Sequence, residues 1–225
     1  TYTITTTNTS DVSIDTDTAV TADTITASIG ALSATNVQPA SLVAGVSGNV
    51  TVTFTTVNAI PATGKIKITF GSGFTVSSAS GGTCSTMDGS FATAVSGQVV
   101  TITRSAGSSQ SAAVESCTIG SIINPKISGS TGTYTITTTD SADATVDTDA
   151  AVTADTITAG VLTSTNVEPA SLTVAEVGNV VVSLTSTNPV AANGKIVVTF
   201  PSSFRLSAGD TTTVASGGSA NGTSY

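Results

Sequence analysis

Apolar residues recur at every second position in several stretches of the chain, which is the pattern of β-strands that bury one face. The alternation is clear in residues 50–55, 65–70, 99–103 and 133–137, where Thr or Lys fills most of the positions between. The inward positions that it predicts are Val50, Val52, Phe54, Ile66, Ile68, Phe70, Val100, Ile102, Tyr134 and Ile136. No stretch shows the 3.6-residue period of a helix, so the pattern predicts an all-β protein.

Clusters of Gly, Pro, Asn and Ser separate these stretches and predict turns, because Gly tolerates positive φ and Pro fixes φ. The clusters are NVQPAS, NAIPATG, ASGGT, SAGSS and NPKISGSTG. They divide the chain into seven to nine short strands over about 130 residues. This number of strands indicates an immunoglobulin-like β-sandwich.

One long segment occurs twice. TYTITTTNTSDVSIDTDTAVTADTITA at residues 1–27 returns as TYTITTTDSADATVDTDAAVTADTITA at residues 133–159. TNVQPASL at 35–42 then returns as TNVEPASL at 165–172. A period of about 130 residues is too long for a solenoid unit and suits a self-sufficient sandwich module.

The second copy keeps its inward positions apolar, at Val180, Val182 and Leu184 and again in residues 196–200, so strands are predicted there as well. We therefore predict three parts in this chain. Residues 1–27 are the C-terminal strands of a preceding module, 28–159 are a complete module, and 160–225 are the N-terminal part of a following module.

The order of these elements resembles that of the tandem Ig-like repeats of very large Ser/Thr-rich surface proteins of algae, other protists and some microbes. The resemblance rests on NVQPASL, GNVTVTFTTVN, IPATGKIKITF, GSGF, CTIGSIINP and GTYTITTTDSADATVDTD. It implies an extended series of modules outside the cell, in wall, fibre or adhesin material. It supplies no ligand-binding residues.

Composition supports a folded protein and excludes some classes of partner. About a third of the residues are Ser or Thr and only 9% are charged, yet Val, Ile and Ala supply enough apolar surface for a core. The net charge is −8, and the basic residues are scattered at Lys65, Lys67, Arg104, Lys126, Lys195 and Arg205. Nucleic-acid binding is therefore not expected. No apolar run is long enough to predict membrane insertion of this segment.

The two cysteines, Cys84 and Cys117, have no metal-type spacing, and the chain contains no His. An even number of cysteines in a Ser/Thr-rich chain favours one disulfide and an oxidising, extracellular location. Two buried thiols are the alternative.

The absence of His excludes catalytic and metal sites built on imidazole. No Ser-x-x-Lys pattern offers another base, and the acids cluster along the sequence instead of pairing across a cleft. We therefore expect a protein that is not an enzyme and that needs no organic cofactor.

An Asp cluster is the strongest candidate for a binding site. Its members recur in both copies, as Asp15, Asp17 and Asp23 and as Asp147, Asp149 and Asp155. Carboxylates two residues apart on a strand lie on one face, so calcium could bind between modules and stiffen their junction. The alternative is a solvated acidic strand that prevents pairing with other chains.

Three sequons occur, at Asn8, Asn49 and Asn221, and predict N-linked glycans if the protein is secreted. Thr-rich outward faces could carry O-linked sugar, although β propensity also explains them.

Three functions fit the sequence. The first is a structural segment of an extracellular fibre or surface protein, whose partners are neighbouring modules or other copies. The second is an adhesin-type module that binds carbohydrate or a surface ligand, for which only Phe74, Phe91 and Tyr225 are candidate stacking rings. The third is a filament subunit that polymerises by strand donation.

Overall fold

The computed structural model describes residues 1–23 and 28–205, and its regular structure there consists of strands. Residues 1–23 form a hairpin of β1 (Tyr2–Thr7) and β2 (Ser13–Val20). Residues 28–159, which were predicted as a complete module and are called the complete module below, contain β3 (Gly30–Ala31), β4 (Ser33–Pro39), β5 (Ser47–Thr55), β6 (Lys65–Thr69), β7 (Ser80–Cys84), β8 (Ser90–Ser96), β9 (Val99–Ser105), β10 (Val114–Ile123), β11 (Gly129–Ser130), β12 (Tyr134–Thr139), β13 (Thr145–Val152) and β14 (Thr156–Ile157). A second hairpin follows, of β15 (Thr163–Pro169) and β16 (Val180–Thr185).

Two main sheets form a β-sandwich in residues 28–159. One has four strands in the order β4-β5-β10-β7, and the other has six in the order β3-β13-β12-β6-β9-β8. Only β3 and β13 pair in parallel within these sheets. The predicted all-β sandwich is confirmed.

The core lies between the two sheets. All ten inward positions predicted from the alternation are buried, and several of them have no exposed surface. Phe70, Phe74 and Tyr134 form an aromatic cluster with ring centroids 5.3 to 5.9 Å apart. The remaining core is mostly Val and Ile, as the low aromatic content indicates.

Two predicted turns are strands, so those predictions are wrong. ASGGT lies mostly in β7, where Gly82 packs beneath β8 and β9; a Cβ there would lie 2.8 Å from Thr93 Oγ1. NVQPAS lies mostly in β4, which ends at Pro39. Because β4 is an edge strand, Pro costs no ladder hydrogen bond on its free side.

The hairpins outside the complete module expose the faces that the module buries. β1 pairs with β2 in the register of β12 with β13, yet β1 is exposed along its whole length whereas β12 is largely buried. β16 confirms the strand predicted at residues 180–184, but 196–200 form no strand, which corrects that prediction. In the complete module β6 lies between β9 and β12, and the described chain supplies no such neighbours to 196–200.

No helix in residues 1–23 or 28–205 is long and apolar enough to cross a membrane.

Candidate functional site at the module junction

Asp147 connects three parts of the complete module. It lies on β13 with no exposed surface, and its Oδ2 accepts hydrogen bonds from the backbone N–H groups of Val57 (3.2 Å) and Asn58 (3.1 Å). Its Oδ1 accepts a bond of 2.7 Å from Asn58 Nδ2. Gly30 of β3 leaves room for this carboxylate, since a Cβ there would lie 1.9 Å from Oδ1. The carboxylate thereby holds the loop after β5 against β13, and β3 pairs with β13 beside it.

Asp149 and Asp155 are also bound by protein donors. Asp149 accepts hydrogen bonds from Thr35 Oγ1 (2.7 Å) and from the backbone N–H of Ala151 (2.9 Å). Asp155 accepts one of 2.8 Å from the hydroxyl of Tyr134. Burial raises the pKa of Tyr134, and the neighbouring Asp155 carboxylate raises it further. This hydroxyl therefore stays protonated and donates its hydrogen bond throughout the physiological pH range.

The equivalent residues of the N-terminal hairpin are exposed. Asp15 and Asp17 lie on β2, Asp23 follows it, and all three face solvent. Asp17 accepts a bond from the backbone of Ala19 (2.8 Å), as Asp149 does from Ala151.

The carboxylates of Asp147, Asp149 and Asp155 already accept hydrogen bonds from protein donors. No group of three or more acidic, Cys or His side chains comes together in the part of the chain that the structure describes. The donors around Asp147 are N–H groups, whose positive ends would repel a cation. Calcium binding stays an untested prediction, and the carboxylates serve as hydrogen-bond acceptors within the fold.

The chain leaves the complete module along a fixed path. Thr158 pairs in parallel with Val43, its N–H donates to Leu42 O (2.7 Å), and its carbonyl accepts from Ala44 N (2.9 Å). Only residues 159–162 separate this contact from β15. A connection this short restricts how the following hairpin can turn.

The following hairpin also contacts the complete module directly. Asn188 Nδ2 donates a hydrogen bond of 3.0 Å to Ala44 O of the complete module. Within the following part of the chain, Thr187 Oγ1 donates one of 3.0 Å to Val161 O. Asn188 is the repeat equivalent of Asn58, 130 residues further along. A pocket of about 290 Å³ lies beside these contacts, and Lys126 is its one charged lining residue.

The predicted disulfide between Cys84 and Cys117 is present. The two cysteines face each other on adjacent strands β7 and β10, and both are buried in the core. The bond closes a loop of 33 residues that contains β8 and β9.

Two buried charged residues were missed by the sequence analysis. Arg104 is 1% exposed and Glu115 is 0% exposed, on facing sheets at the end of the sandwich closed by residues 106–113. Arg104 pairs with Asp88 and also donates to its carbonyl (2.8 Å), while Glu115 accepts from Thr86. Their burial could have been predicted from their positions, because both residues continue the alternation of inward-facing residues along β9 and β10.

Arg104 Nη1 and Glu115 Oε1 are buried without a hydrogen-bond partner among the described residues. Their recorded partners, Asp88 for Arg104 and Thr86 for Glu115, both lie in the loop between β7 and β8. Hydrogen bonds from Ser108 hold the pKa of Asp88 below its ordinary value, and Arg104 adds to this effect.

The predicted glycosylation sites differ in their surroundings. Asn8 closes the β1–β2 turn, where its Oδ1 accepts from the N–H groups of Ser10 (2.9 Å) and Val12 (3.0 Å) and leaves Nδ2 available. Asn49 is exposed on β5. Asn221 lies outside the described residues.

No family model matches this chain, and no curated protein sequence matches it significantly. Among solved structures, it is similar to BslA, a bacterial hydrophobin, with 12% identity and a TM-score of 0.36, over 58% of this chain and 98% of that one. It is also similar to a non-cellulosomal cohesin from the hyperthermophilic archaeon Archaeoglobus fulgidus, with 14% identity and a TM-score of 0.35, over 59% of this chain and 93% of that one.

Proposed function

We propose that this chain is a structural repeat segment of an extracellular fibre, filament or cell-surface protein built from tandem β-sandwich modules. The observation that carries the proposal is the junction after Thr158, where a four-residue connection and the Asn188–Ala44 hydrogen bond attach the next repeat directly to the sandwich. A protein that spaces or transmits force between attachment points needs such a fixed connection.

The differences between the two copies support a spacing role. Asn58 and Gly30, which surround the Asp147 carboxylate, recur as Asn188 and Gly160. Outward residues of the sheets change instead: Thr51, Lys67 and Gln38 correspond to Val181, Val197 and Glu168. A binding face would require its outward residues to be kept, whereas a spacer requires only the packing and the connection.

Carbohydrate binding receives less support. Of the three candidate stacking rings, Phe74 is 3% exposed, Phe91 packs partly against the core, and Tyr225 lies outside the described residues. An adhesin role would have to use polar loops without an exposed aromatic platform.

Strand donation is favoured by one observation. The apolar residues Ile4 and Ile14 of the N-terminal hairpin are 60% and 64% exposed, although Ile136, the equivalent of Ile4, is buried. This face would be covered by the remaining strands of a module, whether they came from the same protein or from another copy.

The disulfide and the high Ser/Thr content support the extracellular location, and the lack of His supports a role without catalysis. Electron microscopy of native surface material, labelled with antibodies against residues 28–159, tests the proposal. We expect label along extended filaments or stalks with an axial repeat of one module. Isolated particles that bind a glycan array would contradict it.

A further inference from the structure

Strand β8 is an uncharged edge of the six-stranded sheet, and its Thr93 Oγ1 accepts a hydrogen bond from Gly82 N of β7, the edge strand of the other sheet (2.7 Å). It pairs with β9 over all seven residues, Ser90 to Ser96, without a bulge. Its sequence, SFATAVS, contains no charge and no Pro. Such edges invite pairing with another strand, and proteins usually protect them with charges, Pro or bulges.

The other edges of the complete module carry that protection. β4 has a bulge between Ser33 and Asn36 and ends in Pro39. β7 is a five-residue strand with an irregular register and two glycines, and β3 has only two residues. Of the edge strands described in residues 28–159, β8 alone is long, regular and unprotected.

The sequence of β8 is self-complementary about Thr93. Read in either direction it has Ser at both ends, an apolar residue next, then Ala, with Thr at the centre. Antiparallel pairing with a second β8 would place Thr opposite Thr, Ala92 opposite Ala94, and Phe91 opposite Val95. Aromatic–β-branched pairs such as Phe91 with Val95 are among the favourable cross-strand pairs.

The backbone of β8 is directed correctly for this pairing. β8 and β9 are joined by the two-residue turn Gly97–Gln98, with Gly97 at φ 57°, so Ser96 and Val99 flank it as a hydrogen-bonded pair. Hydrogen-bonded and non-hydrogen-bonded pairs alternate along an antiparallel ladder, so Ala94 and Ala92 also bond to β9. The backbone N–H and C=O groups of Phe91, Thr93 and Val95 therefore point away from β9, toward the open edge. In the described chain these three residues make no backbone hydrogen bond outside the sheet ladder.

We propose that two copies of this protein associate edge to edge through antiparallel pairing of β8, with the two-fold axis at Thr93. About six backbone hydrogen bonds would then form between the edge-directed residues of the two strands. Two six-stranded sheets become one continuous sheet across the axis. The contact is isologous, so it closes at two copies of the strand. It is independent of the role in a fibre, since one complete module carries the whole edge.

The test introduces like charges at the centre of the pairing. Ala92 and Ala94 are exposed and point outward, so Ala92→Lys with Ala94→Lys leaves the core intact. In the pair each introduced charge lies opposite another, and we expect dimerisation to weaken by about tenfold or more. Sedimentation velocity of the full 225-residue chain over a concentration series measures this.

The matched control places the same charge change on a protected edge. Asn36→Lys with Gln38→Lys alters two exposed residues of β4 and should leave dimerisation unchanged. A chain with Ala92→Glu and Ala94→Glu should dimerise as weakly as the Lys variant, and an equal mixture of the Lys and Glu variants should dimerise as the wild type does. A monomeric wild type, a Lys variant that stays dimeric, a control that loses dimerisation, or a mixture that fails to associate would each overturn the proposal. Association through the exposed faces of the two hairpins would appear as a Lys variant that stays dimeric.

Hydrogen exchange of the unmodified protein gives a second, independent readout. The amides of Phe91, Thr93 and Val95 should become protected as concentration rises, whereas those of Ala92 and Ala94, already bonded to β9, should not change. Equal exchange of the first three amides at all concentrations would overturn the proposed pairing.

Discussion

At the scale of single residues, the carboxylate of Asp147 joins the loop after β5 to β13, beside the backbone pairing of β3 with β13. Its three donors are a matched set, with two N–H groups on Oδ2 and one side-chain amide on Oδ1. A buried acceptor of this kind stabilises the fold only while every donor is satisfied.

Asp147→Asn tests this arrangement. The new amide would turn an N–H₂ group toward Asn58 Nδ2 or toward the two backbone donors, and either contact opposes donor to donor. We expect the free energy of unfolding to fall by about 2 kcal/mol, measured by urea denaturation.

Asp140→Asn is the matched control for that variant. Asp140 closes the β12–β13 turn through Oδ1, which accepts from Ala142 N (2.9 Å) and Ala144 N (2.8 Å). The chain already has Asn8 in the same role in the β1–β2 turn. We therefore expect a change within about 0.5 kcal/mol, and a loss as large as that of the Asp147 variant would contradict this account.

Asp143 gives a prediction about pH. Ion pairs with Lys65 (2.9 Å) and Lys67 (2.8 Å) lower its pKa from 3.8 to about 2. Because the folded pKa is depressed, this contribution to stability is fully present above about pH 4 and is lost as the pH falls toward 2. Carboxyl NMR titration should give a midpoint near 2, and Lys65→Met should raise it. Lys126→Met should leave it unchanged, and a midpoint near 3.8 in the unmodified protein would contradict the pairing.

At the scale of elements, β7 and β10 are joined covalently by Cys84 and Cys117. Closing a loop of 33 residues stabilises a fold by roughly 3–4 kcal/mol in the chain-entropy model. We expect a Cys84→Ser, Cys117→Ser variant to lose about that much stability in chemical denaturation and to keep its strands. Unchanged stability after removal of the bond would contradict this expectation.

The elements also show which parts of the fold can be inferred from sequence. β5, β6, β9 and β12 were predicted because one face of each is buried, which imposes the period of two. β7 was missed because Gly81 and Gly82 carry no side chain to show that period, and β4 because Asn and Pro are typical of turns. Residues 196–200 have the right pattern but no paired neighbour in the described chain, and a strand requires both.

The recurring Asp residues drew attention to the junction as a possible cation site, whereas in the structure Asp147 accepts hydrogen bonds from N–H groups. The recurrence of the Asp residues marked the positions, but a carboxylate pattern does not reveal whether N–H donors or a cation will satisfy it. The donors come from Val57 and Asn58, which lie about 90 residues away in the chain. Only tertiary structure brings them to Asp147.

At the scale of the whole molecule, the chain contains the same heptapeptide, TYTITTT, in two environments. In β1 it is exposed throughout, and in β12 it is paired on both sides and largely buried. A hairpin without a core is marginal in water.

We therefore expect hydrogen exchange at Ile136 to be slower than at Ile4 by about a thousandfold or more. Because the local sequences are identical, the comparison controls for intrinsic exchange rates. Equal protection at both residues would contradict the prediction and would show that the N-terminal hairpin finds a sheet in solution.

The disulfide also sets how far a module can be stretched. Under tension applied through the two ends of the module, the 33 residue-to-residue steps from Cys84 to Cys117 carry no force while the bond is intact. At roughly 3.5 Å per residue they correspond to about 115 Å of contour length, which becomes extensible only when the disulfide is reduced. Single-molecule pulling should show unfolding steps longer by this amount when a reductant is present. A module of this kind has two extensible lengths, and the redox state of its surroundings selects between them.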